Sequence, residues 1–320
     1  MLITGGNGFI GRTVLRTFHQ HADRFSCILS LDLQPPAPHQ QLPSVEYLAL
    51  DIRSPQIESI LHQHGVQVVV HLATVMPGGR KDERELAYAV DVEGTRHLFE
   101  ACIAANVQQF VYISSGAAYG YHPDNPEWLS ETDPLRGNRD FAYAYHKRLV
   151  EDLLAQYRRS HPQIRQLIFR PGTVLGREVN SPISRFFEKR IILGLTGSIS
   201  PFVFIWDEDV ANCILQGVLE QKTGIYNLAG DGALTLREIA RLMGKPYCAL
   251  PAGVVRIALR ILRYLGLTRY GPEQVNFIRY RPVLSNRRLK DEFGYIPRFS
   301  SETAFLEFLQ CRNQQRKEML

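Results

Sequence analysis

The sequence predicts an α/β protein, a doubly wound parallel sheet with a smaller C-terminal α/β lobe that binds substrate. Three observations lead there. From residue 1 to about 170, short apolar, β-branched runs alternate with longer helical patterns, as in successive βαβ units. A glycine-rich turn joins the first run to the first helical pattern, and an aspartate ends the second run. Beyond Pro171 the alternation breaks up into isolated apolar segments between helices, in an arginine-rich final third.

Taken in order, the expected strands are Leu2–Thr4, Cys27–Asp32, Val45–Ala49, Val66–His71, Gln109–Ser114 and Gln166–Arg170. Helical patterns cover roughly residues 9–21, 55–64, 82–105 and 141–160. Residues 1–170 are therefore expected to form the dinucleotide-binding domain. Residues 171–320 should form mainly the substrate lobe, with some segments returning to the sheet. Within the lobe, Phe202–Ile205 and Gly224–Leu228 are short apolar runs, and Thr235-Leu-Arg-Glu238 has the form of a capping box at a helix start.

Composition narrows the function. The 37 basic and 32 acidic residues give a net charge of +5 without a like-charge block, so no nucleic-acid partner is expected. The five cysteines, Cys27, Cys102, Cys213, Cys248 and Cys311, are odd in number and widely spaced, with no CxxC pair. They read as small buried hydrophobes in a reducing compartment, and no metal is expected. The N-terminal residues lack the basic, apolar and cleavage regions of a signal peptide. The greasiest stretch, Val254–Leu267, is broken by Arg256, Arg260 and Arg263 and cannot span a bilayer. A cytoplasmic protein without a transmembrane segment is expected. For that stretch two readings stand, a core helix with a solvated arginine face, or a helix at a membrane surface or over a greasy pocket.

The turn Gly5-Gly-Asn-Gly8-Phe-Ile-Gly11 lies between a strand and an amphipathic helix. Glycines let the backbone approach a pyrophosphate, and the helix N-terminus supplies free N–H groups and a positive dipole end. Glycine spacing alone is weak evidence, and its context strengthens it. Asp32 ends the next strand 21 residues after Gly11, where a carboxylate accepts hydrogen bonds from ribose hydroxyls. A carboxylate there repels a 2′-phosphate, which favours NAD(H) over NADP(H). Arg12 is the nearby cation that would soften the preference.

These residues, together with several further motifs, resemble the extended short-chain dehydrogenase/reductase family, which includes NAD-dependent sugar-nucleotide epimerases and dehydratases. The further motifs are Asp51-Ile52, His71-Leu72-Ala73, Asp91-Val-Glu-Gly-Thr95, Tyr112-Ile-Ser-Ser115 with Tyr119-Gly120, Tyr143-Ala-Tyr-His-Lys147 and Arg170-Pro-Gly-Thr-Val-Leu-Gly176. The resemblance implies a Rossmann-like fold, NAD as cofactor, a small-molecule substrate and a homodimer. It implies that Gly5, Asn7, Gly8, Phe9, Ile10, Gly11, Asp32, Asp51, Ile52, Leu72 and Ala73 contact the cofactor, with Tyr143 and Lys147. It also implies a catalytic set of Ser115, Tyr143 and Lys147, with Ser114 the competing serine. On a helix, residues 143 and 147 share a face, so the Lys147 ammonium, aided by an oxidised nicotinamide, is expected to lower the Tyr143 pKa.

The chain departs from the family pattern in three places. Asp91 stands where asparagine is usual, which leaves its role open. Gly116-Ala117-Ala118 replaces the acid pair that dehydratases carry after the catalytic serine or threonine, which disfavours dehydration. Thr173 and Phe202 stand where UDP-sugar binders have asparagine and arginine. Arg177, Arg185, Arg279 and Arg281 are substitutes among which one sequence does not choose. The expected chemistry is reversible hydride transfer at a secondary alcohol or ketone of a sugar-type or nucleotide-sugar substrate, by an epimerase or oxidoreductase. A hydrophobic hydroxy compound is the alternative substrate, and a non-catalytic dinucleotide sensor the alternative class.

Overall fold

The structure is a computed structural model that describes residues 1–75, 81–199, 201–268 and 271–318. β1 (Leu2–Thr4) runs through the glycine turn into α1 (Phe9–His19), and β2 (Ile28–Asp32) and β3 (Val45–Ala49) follow. Next come α2 (Gln56–Gln63), β4 (Val68–His71), α3 (Lys81–Tyr88), a π-helical segment Ala89–Gly94, and α4 (Thr95–Ala104). β5 (Gln109–Ile113), α5 (Ala142–Ser160) and β6 (Arg165–Pro171) complete the first half. The second half runs β7 (Thr173–Leu175), α6 (Pro182–Phe187), β8 (Ile192–Leu195), β9 (Phe204–Trp206), α7 (Asp207–Leu219) and β10 (Gly224–Leu228). It ends with α8 (Leu236–Leu242), β11 (Tyr247–Leu250), α9 (Ala252–Tyr264), α10 (Gln274–Arg279) and α11 (Ser301–Glu318).

Seven strands form one sheet in the order β10-β6-β5-β4-β1-β2-β3, every pair parallel. Alternation along the strands splits the core into two layers. Ile3, Val70 and Val111 point into one, with Val14, Phe18 and Ile214 of α1 and α7. Leu2, Val69 and Phe110 point into the other, with Leu61, Phe99 and Leu154 of α2, α4 and α5. Both faces are covered, which is why the central strands read as continuous apolar runs. Strand order reverses between β1 and β4, so the crevice beyond their C-terminal ends is where this topology binds ligands.

The expected strands match the sheet to within two residues at each end, and β10 adds the run Gly224–Leu228 to it beside β6. The helical pattern at 82–105 is two α-helices joined by the π-helical segment. Within it the Thr95 hydroxyl donates to the Asp91 carbonyl at 2.6 Å, and the Asp91 side chain is bonded away from the helix, so the wider turn has a local cause. The capping box at Thr235 forms, with reciprocal bonds between Thr235 and Glu238. A separate aromatic cluster of Phe187, Phe202, Phe204, Trp206, Phe305 and Phe308 holds the second half together. None of the residues of α9 is buried, so the core-helix reading of Val254–Leu267 fails. No helix among the described residues is long and apolar enough to cross a membrane.

One buried ion pair ties α5 to the sheet. Arg170 on β6 and Glu151 on α5 are each almost wholly buried, with Nη2 to Oε2 at 2.7 Å and Nε reaching both carboxylate oxygens. Glu151→Ala leaves the guanidinium buried without its counter-charge and should cost about 3–5 kcal/mol of stability. Urea unfolding measures it, and a loss below about 1 kcal/mol would show that Tyr119 and the Glu131 carbonyl, the other acceptors of Arg170, suffice.

Candidate active site

The glycine turn closes tightly against the end of β4. Gly5 has φ +71°, a left-handed conformation, and a Cβ there would lie 2.6 Å from the Ala73 backbone nitrogen. Gly11 in α1 faces the carbonyls of Gly5 and Gly6 so closely that any side chain would collide with them. Gly8 is the N-cap and has no side chain to bond the first-turn amides, and no acidic residue occupies that turn. The result is a bare, positively polarised helix start that fits a dinucleotide diphosphate. Phe9 packs toward the aromatic cluster of the second half and Ile10 toward the sheet core, so the turn sits where the two halves meet.

The other expected cofactor residues lie at the same end of the sheet. The Asp32 carboxylate, half-buried at the end of β2, accepts the Asn7 amide at 3.0 Å, and the Asn7 side chain donates to the Gln34 carbonyl at 2.8 Å. Arg12 is already engaged. It donates to the Asn7 carbonyl at 2.8 Å and lies 3.5 Å from Glu178, which also binds Arg16. Asp51 holds Arg53 through two side-chain bonds, which keep its carboxyl below the usual range. Ile52 is buried beneath Gly94 of the π-helical segment. Leu72 and Ala73 bond Thr4 through their amides.

At the end of β5 the two serines take different partners. Ser114 is buried and donates to Glu151, which makes it part of the Arg170 ion pair. Ser115 is partly exposed and caps the following short helix by accepting the Ala117 amide. Tyr143 stands in the first turn of α5, against an aromatic cluster that includes Tyr121, Phe141, Phe277 and Tyr280. One turn on, Lys147 is buried and donates to the Ile113 carbonyl at 2.8 Å and the Tyr112 hydroxyl at 3.1 Å. Its ammonium lies 5.8 Å from the centre of the Tyr143 ring.

The electrostatics differ from the expectation in one respect. Burial pushes the Tyr143 hydroxyl up to about 12, with the Ser115 hydroxyl opposing and the Asp91 carboxylate adding to the rise. Lys147 by itself does not depress it, because an amine brought down to about 8 is neutral before a phenol near 12 ionises. Burial likewise brings Lys147 down to about 8, against the pull of Asp91 and Glu151. His71 is fully buried between Thr4 and Thr95, and burial followed by the Lys147 charge lowers it to about 3. It is a neutral structural imidazole with both nitrogens occupied.

Sequence reasoning left two features open that the structure resolves. Asp91 is buried and receives the Val75 amide at 2.9 Å and the Thr74 hydroxyl at 3.0 Å, while its second oxygen lies 3.2 Å from His146 Nδ1. It thus ties the β4 loop to α5 one residue before Lys147. Of the four candidate arginines, Arg281 alone comes to rest on both departure positions. Its guanidinium carbon is 3.8 Å from the Phe202 ring centre, and Nη2 donates to Thr173 at 3.3 Å. Its Nη1 is buried without a hydrogen-bond partner, and burial lowers its pKa. In the sequence it was one of four basic residues, with nothing to rank it above Arg279.

The Lys147 shift has a measurable consequence. Unfolded, the amine titrates near 10.5, and folded near 8, so between these values the unfolded chain binds more protons and stability rises with pH. Wild type should gain about 2 kcal/mol relative to Lys147→Met between pH 7 and 9.5. Denaturant unfolding of both proteins at the two pH values checks this, and a constant difference would mean that Lys147 is not desolvated.

Comparisons with known proteins agree with this fold. An uncharacterised protein of Mycobacterium tuberculosis is 24% identical over 317 residues, covering 98% of this chain and 84% of its own. A UDP-glucose 4-epimerase of Erwinia amylovora is 30% identical over 182 residues, about half of each chain (53% and 52%). The crystal structure of Thermus thermophilus UDP-glucose 4-epimerase in complex with NAD superposes with a TM-score of 0.75 at 23% identity, covering 97% of both chains. Residues 1–229 match the model of the NAD dependent epimerase/dehydratase family, and the chain belongs to that family.

Proposed function

We propose that the protein is an NAD-dependent epimerase or oxidoreductase acting on a secondary alcohol or ketone of a nucleotide sugar. The observation that carries the substrate class is Arg281. A guanidinium buried with an unpartnered Nη1, stacked on Phe202 and bonded to Thr173, calls for an anion, and a diphosphate suits a planar fork of donors. No carboxylate bonds it among the described residues. The clamp that Phe202 and Thr173 lack by type is supplied by a residue about eighty positions further along the chain.

In this reading Gly5, Gly8 and Gly11 with the start of α1 hold the cofactor diphosphate. Asp32 takes the adenosine ribose, and the Arg12–Glu178 pair keeps the cation near it occupied, which favours NAD(H). Asn7, Phe9 and Ile10 line the turn, Asp51 and Ile52 take the adenine side, and Leu72 and Ala73 line the crevice. Bound in its oxidised form, NAD would supply the hydride acceptor and a positively charged ring at the site. Tyr143 moves the proton of the reacting hydroxyl, Ser115 holds that oxygen, Lys147 anchors the ribose, and the oxidised nicotinamide adds the positive charge that favours the phenolate. A neutral Tyr143 with a raised pKa is ready to donate when a carbonyl is reduced. Removal of water is not supported, because Ala117 and Ala118, both buried, occupy the segment where an acid pair would be needed. A hydrophobic hydroxy compound is the second reading, favoured by the ring cluster of Tyr121, Phe141, Phe277 and Tyr280 beside Tyr143.

Two measurements test the proposal. Tyr143→Phe keeps the ring and deletes the proton carrier, so turnover should fall at least about a hundredfold with NAD binding preserved. Near wild-type turnover would move the role to Tyr145 or another group. UDP-glucose and UDP-galactose, titrated calorimetrically, should bind wild type and bind Arg281→Gln at least about tenfold more weakly. Equal binding to both proteins would remove Arg281 from the substrate site, and binding of neither sugar nucleotide to wild type would favour the hydrophobic substrate.

A further inference from the structure

Helix α9 presents its greasy side outward. Val254, Ile257, Ala258, Ile261 and Leu265 follow the i, i+3, i+4, i+7, i+11 spacing of one helix face, and all five are exposed. Ile257 is 61% exposed, Ile261 52% and Leu265 59%, and Tyr264 and Leu267 beyond them more still. The arginines lie on roughly the opposite side of the helix. Arg256 donates to Asn276 of α10 at 2.9 Å, and Arg263 lies 3.5 Å from Glu273 just ahead of α10. Only Ala252, Val255, Arg256 and Leu259 are partly covered, Arg260 and Arg263 are exposed, and the apolar stripe from Val254 to Leu265 faces away from the protein. An ordinary surface helix is arranged the other way round.

Charge identifies what covers this face. Between Glu238 and Glu273 the sequence has no acidic residue and six basic ones, Arg241, Lys245, Arg256, Arg260, Arg263 and Arg269. A second copy would bring an equally cationic region against the first, since a two-fold contact pairs like surfaces. An anionic lipid surface complements it, with the apolar residues seated among the acyl chains and the exposed Arg260, at the flank of the apolar stripe, at headgroup level. Thirteen residues give a helix of about 20 Å, short of the roughly 30 Å hydrocarbon core, which suits lying in the interface and not crossing it.

We infer that α9 is an interfacial helix that docks the protein onto an anionic bilayer. Docking would place the substrate half of the molecule against the membrane. α10 lies between α9 and the active-site rings: Asn276 meets Arg256, while Phe277 lies 4.7 Å from Tyr121 and 5.2 Å from Phe141, ring centre to ring centre. The inference does not depend on the choice of substrate, because the exposed face and its charge exist whatever the pocket holds.

Vesicle flotation tests it on the full chain. Wild type should float with vesicles containing about a third phosphatidylglycerol, bind pure phosphatidylcholine vesicles at least about tenfold more weakly, and dissociate at high salt. Ile257→Ser with Ile261→Ser preserves charge and touches no catalytic residue. It should reduce flotation at least about tenfold and leave the thermal midpoint and the NAD-induced thermal shift unchanged. Absence of binding to the anionic vesicles would overturn the inference, as would binding that the double variant retains. A wild-type dimer that the double variant converts to monomer, without vesicle binding, would assign the face to a second copy instead.

Discussion

A buried chain of hydrogen bonds holds the reactive end of the sheet in place. Thr95 donates to the Asp91 carbonyl, so its oxygen accepts from His71 Nε2–H, and the remaining His71 nitrogen accepts from Thr4. This single tautomer satisfies every member, and the neutral imidazole it requires is the form that burial favours. The chain joins β1, β4, the π-helical segment and α4. Through the Asp91 carboxylate it extends to Thr74, Val75 and His146 of α5. The glycine turn, the crevice wall and the helix that carries Tyr143 and Lys147 are thereby set relative to one another.

The same knot fixes the charge around the reactive groups. Lys147 sits in a desolvated position that would neutralise an isolated amine, and Asp91 and Glu151 oppose that loss of charge. Each has a second duty, Asp91 in binding the β4 loop and Glu151 in pairing Arg170 and Ser114. An acid at position 91 therefore supplies charge as well as hydrogen bonds. It supports the ammonium and at the same time raises the phenol beside it. The balance favours a protonated tyrosine and leaves its ionisation dependent on what binds in the crevice.

Arg281 and α9 show how the second half differs from the first. Both place a cationic side chain against apolar or neutral partners, Arg281 on Phe202 and Phe277 and Arg256 on Asn276 of α10. Cation–ring contact compensates part of the cost of burying a guanidinium. It does not fill the unpartnered Nη1, and α9 leaves the apolar stripe from Val254 to Leu265 exposed. In each place the folded chain leaves an interaction unmade, an anion for the first and an apolar surface for the second.

The alternation of β-branched runs with helical patterns was enough to read the fold from the sequence, because strand and helix periodicities are local and the parallel order follows from the handedness of βαβ units. The glycine turn, Asp32 and the Tyr143–Lys147 spacing were legible for the same reason, since each is a short segment whose geometry its own backbone dictates. The role of Asp91, the upward shift of Tyr143, the place of Arg281 and the outward side of α9 were not legible. Asp91 acts through loops and helices far from it in the chain, and the phenol responds to the burial of its surroundings. Arg281 reaches Thr173 across more than a hundred residues of sequence. Periodicity marked α9 as two-faced, but which residues meet the protein depends on contacts with Asn276 and Glu273, which take Arg256 and Arg263. The sequence alone determined the backbone plan and the chemistry available at its turns. Tertiary packing decided which charges are buried, which find partners and which surfaces stay uncovered, because desolvation and long-range contact exist only once the chain has closed on itself.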